Sequence, residues 1–417
     1  MQNSSVTHRR VTSVSGYGLW LVVAIFYALD YMQHTMPGVL ILPLSESLHV
    51  NFVQIDNILN VYFPIYALCQ LPAGYIIDRW GVRKSLSSAS VVLSIGLLLM
   101  SVPSLWAIFF GRVLIAAGSA FAFVGALKAA SMYLPSSFFP ISVGVLQALG
   151  VFGGLMGQVA LNALISLVGW RQSIFLIAMF GFVWAFVMLF LLTSQSQSQP
   201  KLEKSNMKIF YRSIMTVVGD VNLWLLALFA ALMVGAVMST FAESYAVALL
   251  EKIKLVSAQH AAWLSSLIFI GVAVGGPTHG LIAMHFKSKV VWLFTATMFT
   301  LMVYTMIVIF MLWGEGANAL AILFFMQGFF VSSMLLVFSI AKDLFSSSSQ
   351  ATCFAFINTM IGLGGFFIPY FFGHLLKRYE HASHGGIALL FLIFPLLLAL
   401  FLVAFLQYRQ CQKKIYF

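Results

Sequence analysis

Few side chains in this 417-residue chain could do chemistry away from water, and they stand out for that reason. Asp30, Arg112 and Glu243 lie within long apolar stretches. Lys128, His34 and His374 lie nearer the ends of such stretches. An ionisable group in hydrocarbon is costly, and it is kept for a proton, a substrate or a partner of opposite charge. Around Asp30, the residues at −3, +3 and +4 are Tyr27, Gln33 and His34. In a helix these share one face, giving a polar stripe around the carboxyl group. Imidazole suits proton relay near neutral pH, but a histidine near a helix end also serves as an ordinary interfacial residue. Glu243 could bind a cationic group such as a substrate amine, or reach the outer surface instead. Lys128 is placed to snorkel. Uncharged candidates for substrate contact are Tyr62 and Tyr66, one turn apart, with Gln147, Gln158, Gln327, Ser332 and Asn358. Each could equally bond one helix to another.

The elements that must carry these residues follow from composition. Residues AVILMFWYC make up 61% of the chain and DEKR only 8%, with a mean hydropathy of +1.00. A soluble domain carries roughly 25% charged residues, so most of this surface must face lipid. Membrane crossing takes ~20 apolar residues per helix. Twelve such runs are present: 17–43, 52–77, 84–103, 105–130, 140–166, 171–193, 221–249, 258–284, 289–313, 317–341, 350–376 and 385–407. Backbone groups unpaired in hydrocarbon are too costly to tolerate, so each run is expected to be helical. The predicted fold is an all-α membrane protein of twelve transmembrane helices in two six-helix bundles. A cytoplasmic N-terminal tail covers 1–16, the first bundle 17–193, a flexible cytoplasmic linker 194–220, the second bundle 221–407 and a cytoplasmic C-terminal tail 408–417.

Charge sets the orientation. With the N-terminus inside, sixteen Lys and Arg residues fall on the cytoplasmic side and five outside, while Arg112 lies within a helix. That bias places both termini in the cytoplasm. The net charge of +11 is therefore a loop property, and nucleic acid is not an expected partner. The apolar run from Gly16 is too long for a signal-peptide core and no A-x-A site closes it, so it reads as an uncleaved first span. Cys69, Cys353 and Cys411 are far apart and form no CxxC pair, so neither a thiolate metal site nor a disulfide framework is signalled.

The halves echo each other. GSAFAFVGALKAASMYLP at 118–135 leads into LGVFGGLMGQ at 149–158, and GFFVSSMLLVFSIAKDLF at 328–345 leads into IGLGGFFIPY at 361–370. The loop after the second run reads GYIIDRWGVRK, with Gly74, Asp78, Arg79, Gly81, Arg83 and Lys84. Gly74 permits close helix approach, Asp78 can meet a basic residue or a helix N-terminus across the cytoplasmic gap, and Arg83 and Lys84 hold the loop inside. This loop resembles the signature of the major facilitator superfamily, as do the twelve runs, the two repeats and the long linker. The resemblance implies a carrier working by alternating access, with the loop acting as a conformational latch. It also implies that the first and fourth helices line the cavity and that Asp30 and Arg112, whose depths differ by only ~7 Å, form a proton-coupling pair. The alternative for Arg112 is a structural arginine bonded to backbone carbonyls. The corresponding stretch of the second half, GLIAMHFK at 280–287, has Met284 where the aspartate would stand, so a latch there is weakened or lost.

The stretches QLPAGYIIDRWGVRKSL, GRVLIAAGSAFAF and LGVFGGLMGQ, the last followed by GWR, resemble the phagosomal nutrient transporters of intracellular bacteria. That resemblance implies import of amino acids or nucleosides across a bacterial cytoplasmic membrane by a monomer. No GxxxxGK[ST], HExxH, GxSxG or GxGxxG signature is present, so the chain is not expected to be an enzyme and needs no cofactor. The expected partners are a small-molecule substrate, protons and the lipid bilayer. Two competing readings stay open: an exporter or importer of a drug, siderophore or organic anion, and a non-transporting membrane sensor on the same fold.

Overall fold

In a computed structural model of the chain, residues 15–192, 207–254, 256–286, 288–312, 317–378 and 392–415 are described. They are helical with short connections and contain no strand. Among them, eight helices are long and apolar enough to cross a membrane. The N-terminal tail to 14, the linker residues 193–206 and the start of the last predicted run lie outside the described residues.

The expected spans are joined and broken in ways that trace to single residues. The runs at 52–77 and 84–103 are joined by a one-residue break. Within Tyr62–Met100 two helical segments meet at Gly81, where φ is 79° and ψ 162°. The runs at 140–166 and 171–193 are joined in the same way through Gly169, with φ 80° and ψ 161°. A positive φ is natural only to glycine, so the chain reverses direction there with a single residue. Other runs are interrupted. Gly16–Thr35 gives way to Pro37–Leu48 at Pro37, and Phe52–Asn60 is separated from Tyr62–Met100 at Val61. Two stretches are π-helical: Met156–Ala160 and Val234–Tyr245. Such wide turns are rare, and they gather at functional sites.

The described part of the expected linker, from 207 on, contains the helix Met207–Val218, and Val217 within it is buried. The indole Nε1–H of Trp224 donates to the Val218 carbonyl at 2.6 Å, which ties the helix to the start of Val221–Met233.

The two halves pack most extensively at one end. Helix Ala258–His285 packs on Phe139–Leu155, and Gln350–Arg378 packs on Tyr62–Met100, so each half lends one helix to the other. Phe139 stacks on Phe354 with centroids 5.9 Å apart, and Phe123 meets Phe338 edge-on at 5.3 Å. These contacts lie at the end that carries the 74–84 loop. At the opposite end, Pro37–Leu48, Phe52–Asn60 and Ala246–Lys254 pack against elements of their own half. The halves are therefore closed on the loop side and spread on the other.

Candidate functional site

Asp30 sits at the centre of the first half, fully buried on helix Gly16–Thr35. Neither carboxyl oxygen has a hydrogen-bond partner. Ser119, itself buried and unpartnered, is the hydroxyl within its electrostatic reach. Tyr27, Tyr62 and Tyr66 also feel its charge. Tyr27, Gln33 and His34 stand on its helix as the spacing required, but none hydrogen-bonds to it. Gln33 Nε2 instead donates to the Leu29 carbonyl at 3.5 Å, and its Oε1 has no partner.

The expected Asp30–Arg112 pair is not formed. Arg112, also buried, gives Nε–H to the Leu59 carbonyl at 2.9 Å and Nη1–H to the Gln33 carbonyl at 3.3 Å. Its guanidinium carbon lies 4.7 Å from the Tyr62 ring centroid, a cation–π distance. The reason is legible in the backbone. Pro37 has no N–H, so the carbonyl of Gln33, four residues earlier, loses its helical donor. The Leu59 carbonyl lies beside the break at Val61. Arg112 bonds to both and fastens the first and third helices of this half to its own, Leu105–Ser119.

An aromatic wall surrounds this centre. His34 shares a 2.8 Å hydrogen bond through Nε2 with the Tyr62 hydroxyl. Its ring lies 5.3 Å from Tyr31, 5.4 Å from Tyr66 and 6.3 Å from Phe63. Tyr62 and Tyr66 stack at 5.5 Å. Tyr27 and Tyr62 are buried behind the wall, whereas Tyr31, His34 and Tyr66 are partly exposed and Phe63 exposed on its open side. Tyr66 also reaches the other half, since Asn358 Nδ2 donates to its hydroxyl at 3.3 Å.

The remaining candidates separate. Glu243, in the π-helical stretch Val234–Tyr245, is exposed and stands within electrostatic reach of Tyr31 in the opposite half. Gln158, in Met156–Ala160, is exposed beside Gly38, and Gln147 is half-buried. Gln327 and Ser332 are not brought to the cavity. Both are buried, the Ser332 hydroxyl donates to the Phe329 carbonyl of its own helix at 2.6 Å, and the Gln327 amide has no partner. His374 is exposed and its Nδ1 is 2.9 Å from the Tyr370 carbonyl.

The loop residues form a second centre. Asp78 Oδ1 accepts from Lys128 Nζ at 3.0 Å and from the Ala351 N–H at 3.1 Å. Oδ2 accepts from the Thr352 N–H at 2.8 Å and from its hydroxyl at 2.9 Å. One carboxylate thus meets a lysine of its own half and the N-terminus of Gln350–Arg378 in the other half, where free N–H groups and the helix dipole favour negative charge. Lys128 is not snorkelling. It is buried, and its ammonium also donates to the Ser347 carbonyl across the gap. Among the described residues the other ion pair is Lys289–Asp343, at 2.6 Å. Arg83 Nε donates to the Leu189 carbonyl at 2.7 Å, and Arg79 Nη1 to the Tyr75 hydroxyl at 3.2 Å. Lys84 lines a surface groove with Trp80 and Phe186.

A sequence signal connecting the two centres escaped the reading of motifs. Tyr62, Tyr66, Gln70, Gly74 and Asp78 recur every fourth residue, so they lie on one face of Tyr62–Met100. That face is turned toward Gln350–Arg378, from the Tyr66–Asn358 bond to the Asp78 cap.

A profile of the Major Facilitator Superfamily matches residues 23–255. An uncharacterized transporter of Bacillus subtilis (strain 168), YybO, is 24% identical over 162 residues, which is 38% of this chain and 37% of that protein. An uncharacterized transporter of the same type from Caenorhabditis elegans, C09D4.1, is 27% identical over 148 residues, 33% of this chain and 24% of that one. The matched regions thus span about a third or less of these relatives. Among solved structures, the Escherichia coli fucose:proton symporter FucP superimposes with a TM-score of 0.73 at 16% identity, covering 94% of this chain and 99% of that one. The proton:xylose symporter XylE does so with a TM-score of 0.70 at 13% identity, covering 93% and 94%. At such identities the likeness establishes the fold.

Proposed function

The chain belongs to the Major Facilitator Superfamily, and on that premise we propose that it is a proton-coupled carrier importing a small polar metabolite by alternating access. It is a multi-pass membrane protein of a transporter family and not an enzyme. In our reading, twelve spans form two six-helix bundles with both termini in the cytoplasm of a bacterium, and the carrier works as a monomer in the cytoplasmic membrane. The resemblance of 70–86, 111–123 and 149–158 to phagosomal nutrient transporters favours an amino acid or nucleoside as cargo.

The observation that carries the proposal is Asp30. A carboxyl group enclosed by helices, with neither oxygen hydrogen-bonded, is poorly solvated as an anion and well suited to hold a proton. Arg112 is committed to two carbonyls and the Tyr62 ring, so it does not compensate that charge by direct pairing. Its role here is to fasten the helices around Asp30. His34, hydrogen-bonded to Tyr62 and partly exposed, is the natural step between the open side and this interior. Two neighbours of the same fold are described as proton symporters, which supports the coupling. Asp78 and the residues from Gly74 to Lys84 then hold the loop side shut while the other side admits substrate.

The test is uptake of labelled amino acids and nucleosides into proteoliposomes, with and without an imposed gradient, alkaline inside. Wild-type uptake should accelerate with the gradient. Asp30→Asn should lose on the order of 10²-fold of gradient-driven uptake, the range of a positioned proton-transfer group, while retaining exchange of substrate across the membrane. Gradient-driven uptake that is unchanged in Asp30→Asn would sink the coupling role.

A further inference from the structure

Two acids belong to the spread part of the interior, and the structure treats them in opposite ways. Asp30 is fully buried, and neither of its oxygens is hydrogen-bonded. Glu243 is exposed, although it stands on the apolar helix Val221–Glu251, about 12 Å along the axis from its end. Its only hydroxyl neighbour of note is Ser239, one turn away. Among the described residues no ion pair reaches it. Lys128 is held by Asp78, Lys289 by Asp343, and Arg112 by carbonyls and Tyr62. A carboxylate at membrane depth, exposed and outside the ion pairs of the described residues, suits a cation from outside the protein.

The opposite wall is suited to that cation. Tyr31, on the opposite half and within electrostatic reach of Glu243, continues into His34, Phe63 and Tyr66 as a run of ring contacts between 5.3 and 6.3 Å. The ring faces are electron-rich, and a desolvated ammonium is attracted to them more strongly than a neutral group of the same shape. The face of Tyr62 that could also have served is already taken by Arg112. The site is therefore complete in two parts, a carboxylate on one half and aromatic faces on the other.

Resting on the carrier reading above, we infer that the cargo is an organic cation, a compound with a protonated or quaternary nitrogen held between Glu243 and the Tyr31–His34–Tyr66 wall. Because the two parts belong to different halves, such a ligand draws the open side together as it binds. The proton and the cargo cation then occupy separate acids, Asp30 by enclosure and Glu243 by access.

The test is thermal unfolding of the full chain in nanodiscs with choline and agmatine as cationic probes. The uncharged isostere 3,3-dimethyl-1-butanol and L-fucose serve as neutral probes. At least one cation should raise the melting temperature in a concentration-dependent way, and neither neutral probe should match it. Glu243→Gln should weaken that cation on the order of tenfold, the scale set by losing one charged partner, and Glu243→Asp should restore part of it. Tyr31→Leu, which leaves the carboxylate in place, should also weaken it. The inference falls if no cation shifts the transition, if the isostere or fucose stabilises as well as the cations, or if Glu243→Gln binds like wild type. A cation that binds but is not taken up by proteoliposomes would sink the carrier reading and leave the site standing. Proton-driven uptake of a neutral substrate without cation binding would do the reverse.

Discussion

Gly74 and Gly280 do the same job in the two halves, yet their surroundings part company four residues later. A Cβ on Gly74 would lie 2.7 Å from the Ala351 carbonyl oxygen and 2.9 Å from the Thr352 Cα. A Cβ on Gly280 would lie 2.6 Å from the Ile141 Cα and from the Pro140 carbonyl oxygen. Each glycine therefore seats its helix against the first turn of a helix of the other half, Gln350–Arg378 or Phe139–Leu155. Beyond the first contact stands Asp78, capping the helix it faces. Beyond the second stands Met284, 43% exposed and with nothing to offer an N–H. Close packing is thus shared by both seams and polar fastening belongs to one. Shape complementarity lets the seams close, and charge determines how firmly one of them stays closed.

The comparison can be broken at the glycines. Gly74→Leu and Gly280→Leu should each prevent loop-side closure, because the obstruction at both is backbone with no flexible end to move aside. Spin-label distances across the loop side should lengthen in both variants, and uptake should fall to background. A Gly280→Leu protein that still closes would show that the seam without a carboxylate is dispensable. A smaller effect is expected from Asp78→Ala. It removes the bonds from Asp78 to Ala351 and Thr352 across the gap, a loss to the closed state of about 1.5–3 kcal/mol for hydrogen bonds to a charged group. The same distances should then show a mixed population in which the loop side is mostly open. The smallest effect, and the sharpest, is Met284→Asp. A new carboxylate near the N-terminus of Phe139–Leu155 should add about 0.5–2 kcal/mol to the closed state, slowing turnover several-fold while raising the melting temperature. If Met284→Asp instead speeds turnover, the asymmetry is not what sets the rate of opening.

Much of this was legible before any coordinates. The loop spelled out its carboxylate, its glycine and the missing counterpart at Met284, because these are local choices of residue type. The acids and the arginine inside apolar runs marked the centre for the same reason. What spacing could not convey was who pairs with whom. Asp30 and Arg112 are close in depth, yet the arginine is drawn to the Gln33 and Leu59 carbonyls. The Gln33-x-x-x-Pro37 spacing was the clue that one carbonyl would go begging. Gln327 and Ser332 read as substrate contacts or helix–helix bonds by residue type alone, and burial is decided by neighbouring helices that lie far away in sequence. The joins at Gly81 and Gly169 were hidden because hydropathy measures the length of a run and not the sharpness of a turn.

The arrangement around Asp78 has one more consequence. Its ion pair with Lys128 lies within one half and survives separation, whereas the Ala351, Thr352 and Ser347 contacts span the gap and do not. Opening the loop side therefore exposes a charged pair and a set of main-chain groups that solvent must cover, and water has to enter for the halves to part. The equilibrium is then sensitive to water activity. Raising osmotic pressure with a solute too large to enter the gap should hold the carrier on its closed side, in the manner of a ligand whose only property is that it keeps water away.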